Sequence, residues 1–492
     1  MKYPNVTSAH AANLTQTSVF ERIASRACTL RSKPLLVLAL GVSLILPNPI
    51  SASESIPGRD PGCANPILPG YYADPSIVTH EGKYFLYATL DPWGGETLGC
   101  WESTDFKNWT YRVLNWPTKA ACTSPQSGGA AVWAPSVIVG PDKKFHMFVS
   151  VGNEVWVGVA NHPLGPWKDA HGGKPLIPRE YKPGFHMIDA EAFIDEDGTP
   201  WLYWGSGHGW VNGKCWAVKL NREMSAFEGD VHDVTPTNYF EGPVMVKRHG
   251  LYFLTYSQGV TIKDTYQVHY AVGDNPLGPF KEGPNSPILV TDKAQNVISP
   301  GHHTFYHAAG KDYILYHRHS IPFNENFIGR QTCVDEVTFL PDGSITKVVP
   351  THTGPTIVQG RDAQRLPATA SASSEAGPLM AAPCATDGNF ATFWQPADPK
   401  QTCWLQLDLG KSQAISRQEI RFEYAWKSYQ CSVQTSDDGA TWKTLADHSV
   451  TPVTGSPIRI DTAATARYLR LQFPATAEGH AVPAVLEWSV LP

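Results

Sequence analysis

Asn161-His162-Pro163-Leu164-Gly165-Pro166-Trp167 recurs in the chain as Asp274-Asn275-Pro276-Leu277-Gly278-Pro279-Phe280. Two copies of so specific a stretch mark an internal duplication. Around them, short aromatic and β-branched runs repeat: Lys83-Tyr84-Phe85-Leu86-Tyr87, Phe145-His146-Met147-Phe148-Val149, Trp201-Leu202-Tyr203-Trp204, Tyr252-Phe253-Leu254-Thr255-Tyr256 and Tyr313-Ile314-Leu315-Tyr316. Each has strand length and is bounded by turn residues. A turn precedes each run: Glu81-Gly82, Pro141-Asp142, Glu196-Asp197-Gly198, His249-Gly250 and Ala309-Gly310. The spacing of roughly 50 to 60 residues is that of a four-stranded propeller blade. No amphipathic helix of ordinary length interrupts the pattern, which predicts a five-bladed β-propeller over residues 60–355.

After Gly354-Pro355 the pattern changes. Ala and Ser dominate from Ala368 to Ala382. Alternating runs then follow, such as Trp404-Leu405-Gln406-Leu407-Asp408-Leu409 and Tyr468-Leu469-Arg470-Leu471-Gln472-Phe473. Alternation of this kind suits half-buried antiparallel strands. It predicts a β-sandwich over residues 363–492, so the expected fold class is all-β, a propeller followed by a sandwich.

The N-terminus reads as an export signal over residues 1–53. Arg22, Arg26, Arg31 and Lys33 precede the apolar run from Leu35 to Leu46, and the small residues Ser51, Ala52 and Ser53 follow. The expectation is a secreted or periplasmic protein with no stable membrane insertion. Cys63, Cys100, Cys122, Cys215, Cys333, Cys384, Cys403 and Cys431 lie beyond the signal, and an oxidising compartment favours some disulfides among them. A net charge of -6 with no basic patch argues against nucleic acid as a partner. The 16 Trp residues serve mainly an all-β core, and the remainder suit stacking on sugar rings.

Three acids stand out from the ordinary turn formers and solvated charges. Asp74 lies in Tyr71-Tyr72-Ala73-Asp74-Pro75-Ser76, Asp189 in Met187-Ile188-Asp189-Ala190-Glu191-Ala192-Phe193, and Glu241 in Tyr239-Phe240-Glu241-Gly242-Pro243. Each sits among apolar or small residues just ahead of a hydrophobic strand. Burial there raises a carboxyl pKa, as a general acid requires. Inverting glycoside hydrolysis needs such an acid and a second carboxylate that activates water.

With Trp133-Ala134-Pro135-Ser136 added, these motifs and their order make residues 65–350 resemble glycoside hydrolase family 43. The resemblance implies that Asp74 is the general base, Glu241 the general acid, and Asp189 an ionised residue that raises and orients the acid. Ala190 and Glu191 replace the Pro and Ser more common in the family, which leaves Glu191 as a competitor to Asp189. In Ser299-Pro300-Gly301-His302-His303, His302 resembles the family's axial histidine, which implies that it ligates a structural calcium at the propeller axis or that ion's water shell; a satisfied buried histidine is the alternative. Arg330, in Ile328-Gly329-Arg330-Gln331-Thr332, resembles an arginine that binds sugar hydroxyls; an ion pair to Asp335 or Glu336 is the alternative. Trp93 and Trp133 are candidate stacking residues. No cofactor is required for the chemistry.

Residues 368–492 resemble the discoidin, or coagulation factor 5/8 type C, sandwich, a group that includes carbohydrate-binding module family 32. Ala385-Thr386-Asp387-Gly388-Asn389, Thr392-Phe393-Trp394 and Ser436-Asp437-Asp438-Gly439-Ala440-Thr441-Trp442 carry that likeness. Trp394 and Trp442 read as core, and Tyr424 with Trp426 as a candidate aromatic platform. The expected function is release of terminal sugars, foremost α-L-arabinofuranosyl residues, from plant-type polysaccharide or oligosaccharide. β-Xylosidase, galactosidase and galactofuranosidase activities, and a non-catalytic carbohydrate-binding protein, are the alternatives. A chain lacking residues 360–492 is expected to keep activity on a small aryl glycoside.

Overall fold

Left-handed turn residues build the hairpins. Glu81-Gly82 (φ 49° and 75°), His249-Gly250 (52° and 77°) and Ala309-Gly310 (50° and 76°) each place two consecutive residues at positive φ, as a two-residue type I′ turn demands. The computed structural model in which these turns occur describes residues 55–492. The export signal expected at 1–53 lies outside the described residues.

The described structure is all-β. Four four-stranded antiparallel sheets and one of three strands follow one another along the chain. The first contains β1 (Tyr72–His80), β2 (Lys83–Leu90), β3 (Gly99–Ser103) and β4 (Trp109–Arg112). The second contains β5 (Val132–Val139), β6 (Phe145–Val151), β7 (Val155–Ala160) and β8 (Lys168–Asp169). The third contains β9 (Glu191–Ile194), β10 (Pro200–Trp204), β11 (Trp216–Lys219) and β12 (His232–Asp233). The fourth contains β13 (Glu241–Arg248), β14 (Leu251–Gln258), β15 (Gln267–Gly273) and β16 (Lys281–Glu282). The fifth contains β17 (Gly301–Ala308), β18 (Lys311–His319) and β19 (Arg330–Val337). Strand β1 touches β5, β5 touches β9, β9 touches β13, β13 touches β17, and β17 touches β1.

The duplicated heptapeptide has a packing reason. Tyr87 of the first sheet donates its hydroxyl to Pro163 O of the second (2.7 Å), and Tyr203 of the third donates to Pro276 O of the fourth (2.7 Å). In both places the loop after a sheet's third strand latches onto the preceding sheet. The segment ahead of β1 covers the outer edge of β19. There the Asn65 side chain exchanges two hydrogen bonds with Val334, and Ile67 N–H donates to Thr332 O. A free sheet edge is thereby paired.

The same local device recurs where the first strands begin. Asp74 (φ 53°), Ala134 (45°), Asp189 (58°), Gly242 (58°) and His302 (42°) are all left-handed. In four of these places the strand pairing also slips by a bulge. A left-handed non-glycine residue costs on the order of 1 kcal/mol. Side chains on the preceding sheet hold three of the five through their backbone N–H. Ala134 donates to Thr89 (2.7 Å), Asp189 to Ser150 (3.0 Å) and His302 to Ser257 (2.9 Å). Bulges re-aim side chains, and these aim the site residues.

The C-terminal part pairs a five-stranded sheet with a three-stranded one. The larger has the order β20 (Thr369–Ala372), β21 (Cys403–Ile415), β26 (Ala464–Phe473), β23 (Ser432–Ser436) and β24 (Lys443–Asp447). The smaller has β25 (Ile458–Ile460), β22 (Arg417–Phe422) and β27 (Val485–Leu491). Leu405, Leu407, Leu469, Leu471, Ile420 and Trp488 bury their side chains between them. Trp394 belongs to this core, whereas Trp442 is only partly buried and lies under Arg470, 3.8 Å from its ring.

One sequence expectation needs correction. All eight cysteines beyond the signal are free thiols, seven of them buried, so burial rather than pairing accounts for them. The sandwich packs against the sheets that precede it. Ala425 shares a hydrophobic cluster with Ile67, Leu68, Tyr72 and Trp101. Arg361 donates to Ala64 O, Asn389 to Gly58 O, and Tyr111 N–H to Ser456 O.

Candidate active site

Asp74, Asp189, Glu241 and His302 meet where the first strands begin. Asp74 is buried and surrounded by donors. Thr89 donates to its Oδ2 (2.7 Å) and Arg330 Nη1 to its Oδ1 (3.0 Å). His317 Nδ1 and His302 Nδ1 lie 3.1 and 3.3 Å from the same Oδ1. Burial by itself pushes a carboxyl pKa up. Here the Arg330 guanidinium, His302 and the His317 hydrogen bond outweigh it and hold Asp74 well below the usual carboxylate range.

Glu241 opens β13. Tyr266 donates to its Oε1 (2.7 Å) and Ser206 to its Oε2 (3.0 Å). Burial pushes its pKa up to about 7, against the pull of the Tyr266 and Ser206 hydrogen bonds and with the push of the Asp74 charge. Asp189 is raised well above its ordinary value by burial, then by the charges of Glu241 and Asp74, with Arg330 and the Gly242 N–H opposing. Donor atoms of Asp189, Glu241 and His302 lie within 4.8 Å of one another. Two buried carboxyls so close titrate as a pair. Ionisation of one therefore opposes ionisation of the other.

Arg330 is placed differently from the sequence expectation. It is 4% exposed, and Nε and Nη2 form a bidentate pair with Asp91 (3.0 and 2.7 Å) while Nη1 reaches Asp74. The guanidinium thus directs three of its N–H groups at two carboxylates and charge-balances Asp74. Neither alternative partner takes it: Asp335 accepts from Tyr316 and Thr351, and Glu336 pairs with Lys311. Trp93 is 37% exposed and lies over Arg330, 5.1 Å from ring to guanidinium. Gly95 and Val132 exchange backbone hydrogen bonds, which join the Trp93 loop to the strand carrying Trp133. Trp133 is partly buried and fixed by Nε1–H to Gly152 O (3.0 Å).

Glu191 stands apart from the dyad. It lines a channel between the first strands with Ser76, Val137, Val244 and Thr304. Burial raises its pKa to about 7, offset by a hydrogen bond with Ser136.

A calcium ion on His302 was a further expectation. Calcium takes six to eight oxygen ligands. The groups here are one imidazole, whose Nδ1 faces Asp74 and Asp189, and two carboxyls. Both oxygens of Glu241 already accept hydrogen bonds. The residues present do not fit a calcium held directly by protein ligands at this point.

Thr89, Asp91, Ser206, Tyr266 and His317 escape sequence reasoning. They lie on second strands, on β19's neighbours and in loops, and no shared motif marks them. One signal was available for Asp91, which sits two residues before the candidate Trp93 in a turn rich in Pro and Gly.

Comparison with known proteins agrees with this arrangement. Residues 63–345 match the model of glycosyl hydrolases family 43, and residues 367–488 match the F5/8 type C domain. A β-D-galactofuranosidase of Aspergillus niger is 34% identical over 314 residues, which is 60% of this chain and 87% of that protein. An arabinoxylan arabinofuranohydrolase of Bacillus subtilis is 25% identical over 362 residues, covering 62% of this chain and 68% of the other. A solved structure described as a glycoside hydrolase superposes with a TM-score of 0.74 at 26% identity, covering 89% of this chain and all of its own.

Proposed function

The chain belongs to glycosyl hydrolase family 43, and we propose that it is an exo-acting enzyme releasing terminal α-L-arabinofuranosyl residues from polysaccharide or oligosaccharide by inversion. The observation that carries this reading is one buried cluster holding both required states of a carboxyl group. Asp74 is kept ionised by Arg330, while Glu241 is kept protonated near neutrality by burial. Asp74 draws a proton from water, which attacks the anomeric carbon. Glu241 gives its proton to the departing oxygen as the glycosidic bond breaks. Asp189 opposes ionisation of Glu241, so the acid holds its proton until the leaving oxygen takes it. Trp93 and Trp133 offer aromatic faces beside this centre for the sugar ring.

The five sheets read as the blades of a five-bladed propeller, with the active site at the end where the first strands begin. The basic and apolar pattern of residues 1–53 supports export.

A second reading is favoured by the 34% identity to a β-D-galactofuranosidase. β-D-Galactofuranose has the ring configuration of α-L-arabinofuranose and a longer exocyclic arm. The same acid and base therefore serve both sugars, and the room around that arm selects between them. Hydrolysis of the 4-nitrophenyl α-L-arabinofuranoside, β-D-galactofuranoside, β-D-xyloside and β-D-galactoside tests the choice. A dominant rate on the arabinofuranoside is expected. A dominant rate on the galactofuranoside would replace it with the second reading, and no rate on any would count against a pocket-type exo-enzyme. Proton NMR of the first-formed anomer tests inversion.

A further inference from the structure

The loop after β22 brings the sandwich to the catalytic side of the molecule. Tyr424 packs against Tyr71, with ring centroids 5.7 Å apart, and Tyr71 packs edge-on against Phe327 at 5.2 Å. Tyr71 lies three residues before Asp74, and Phe327 three residues before Arg330. The backbone O of Tyr71 accepts from Asp91 N–H, whose carboxylate clamps Arg330. The segments that carry the base and its guanidinium thus both present an aromatic ring to this loop. Gly70 makes the approach possible. It is left-handed (φ 113°), and a Cβ there would come 2.4 Å from Glu423 O.

A cavity of about 770 Å³ opens beside this contact, within the range of small-molecule sites. Tyr424, Trp426, Lys427, Ser428, His480 and Gln395 line it. Tyr424 and Trp426 are half-buried, with centroids 5.2 Å apart, and offer apolar ring surface. The Lys427 ammonium lies 3.6 Å from the Tyr424 ring centroid and is exposed, and His480 bonds Ser428 (2.9 Å). Amide, hydroxyl, imidazole and ammonium groups around aromatic faces suit a sugar. One carboxyl, Glu423, and one ammonium, Lys427, balance the formal charge, which favours a neutral sugar over an acidic one.

We propose that the sandwich supplies part of the substrate-binding surface, with Tyr424, Lys427 and His480 holding a neutral sugar ring of the polysaccharide beyond the residue being released. This rests on the reading of the protein as a hydrolase of polysaccharide. The sandwich then recognises the polymer, while Asp74, Glu241 and Asp189 recognise and cleave the terminal sugar.

The test compares the full-length wild type with Lys427→Ala, His480→Ala and Tyr424→Leu. KM is measured on 4-nitrophenyl α-L-arabinofuranoside and on an α-1,5-linked arabinotetraose, and circular dichroism checks folding. Loss of a charge-assisted hydrogen bond weakens binding about tenfold or more. KM on the tetrasaccharide should rise about tenfold more than KM on the aryl glycoside for Lys427→Ala. Equal changes on both substrates, or none, in the folded variants would overturn the proposal. A wild type silent on both substrates would count against the arabinofuranosidase reading instead. In that case calorimetric binding of the tetrasaccharide decides: weaker binding by Lys427→Ala and His480→Ala supports the cavity, and equal or absent binding overturns it.

Discussion

The phenol ring of Tyr266 lies parallel to the imidazole of His317, with centroids 5.8 Å and planes 7° apart. Tyr266 donates to Glu241, and His317 lies against Asp74. One stacked pair therefore buttresses both the proposed general acid and the proposed general base. Rigid support of this kind is what catalytic geometry requires.

Asp74→Asn and Glu241→Gln should each lower kcat by about a hundredfold to ten-thousandfold, the range for loss of a general base or acid. The fold should remain intact by circular dichroism. The two losses should differ with leaving group. Glu241→Gln should lose less on a 4-nitrophenyl glycoside than on an oligosaccharide, because nitrophenolate departs without a proton. Asp74→Asn should lose equally on both.

The pH profile follows from the two carboxyl environments. Glu241 acts only when protonated, and burial places its pKa at about 7, so activity should fall as pH rises through that region. Asp74 acts only when ionised and is held well below the usual range, so activity should persist into mild acid. Asp189→Asn removes the neighbour that titrates as a pair with Glu241, which should shift the alkaline fall to lower pH. Tyr266→Phe removes a hydrogen bond that favours the Glu241 carboxylate while keeping the stack on His317. It should shift the same fall to higher pH. Rate profiles of kcat/KM against pH check all three shifts.

Arg330→Met should destabilise the protein by about 3–5 kcal/mol, the cost of leaving a buried charge unpaired. The uncompensated group is Asp91, whose carboxylate takes two of the guanidinium's contacts. Denaturant unfolding measures the loss. Activity should fall together with stability, and an acid limb should appear in the pH profile as Asp74 loses its cation.

Truncation before residue 360 should lower the melting temperature and expose apolar surface. Ala425 fills a cluster with Ile67 and Trp101, and Trp426 packs edge-on against Tyr72 at 5.7 Å. Scanning calorimetry of the truncated chain checks this, alongside its rate on an aryl glycoside.

The amino-acid sequence by itself determined the local pieces. Glu81-Gly82 and His249-Gly250 specify tight hairpins because the backbone there needs positive φ at two neighbouring residues. The alternation around Leu405 and Leu407 specifies a half-buried strand. Asp74, Asp189 and Glu241 were legible because each lies in a short motif at a strand's start. The tertiary structure alone decided what surrounds them. Arg330 meets Asp91 and Asp74 across 239 and 256 residues, and His317 meets Asp74 across 243. Contacts at such separations leave no period or spacing in the chain. The ionisation of Asp74, the raised carboxyls of Asp189 and Glu241, and the packing of Tyr424 on Tyr71 all depend on burial and charge that arise only once the sheets have come together.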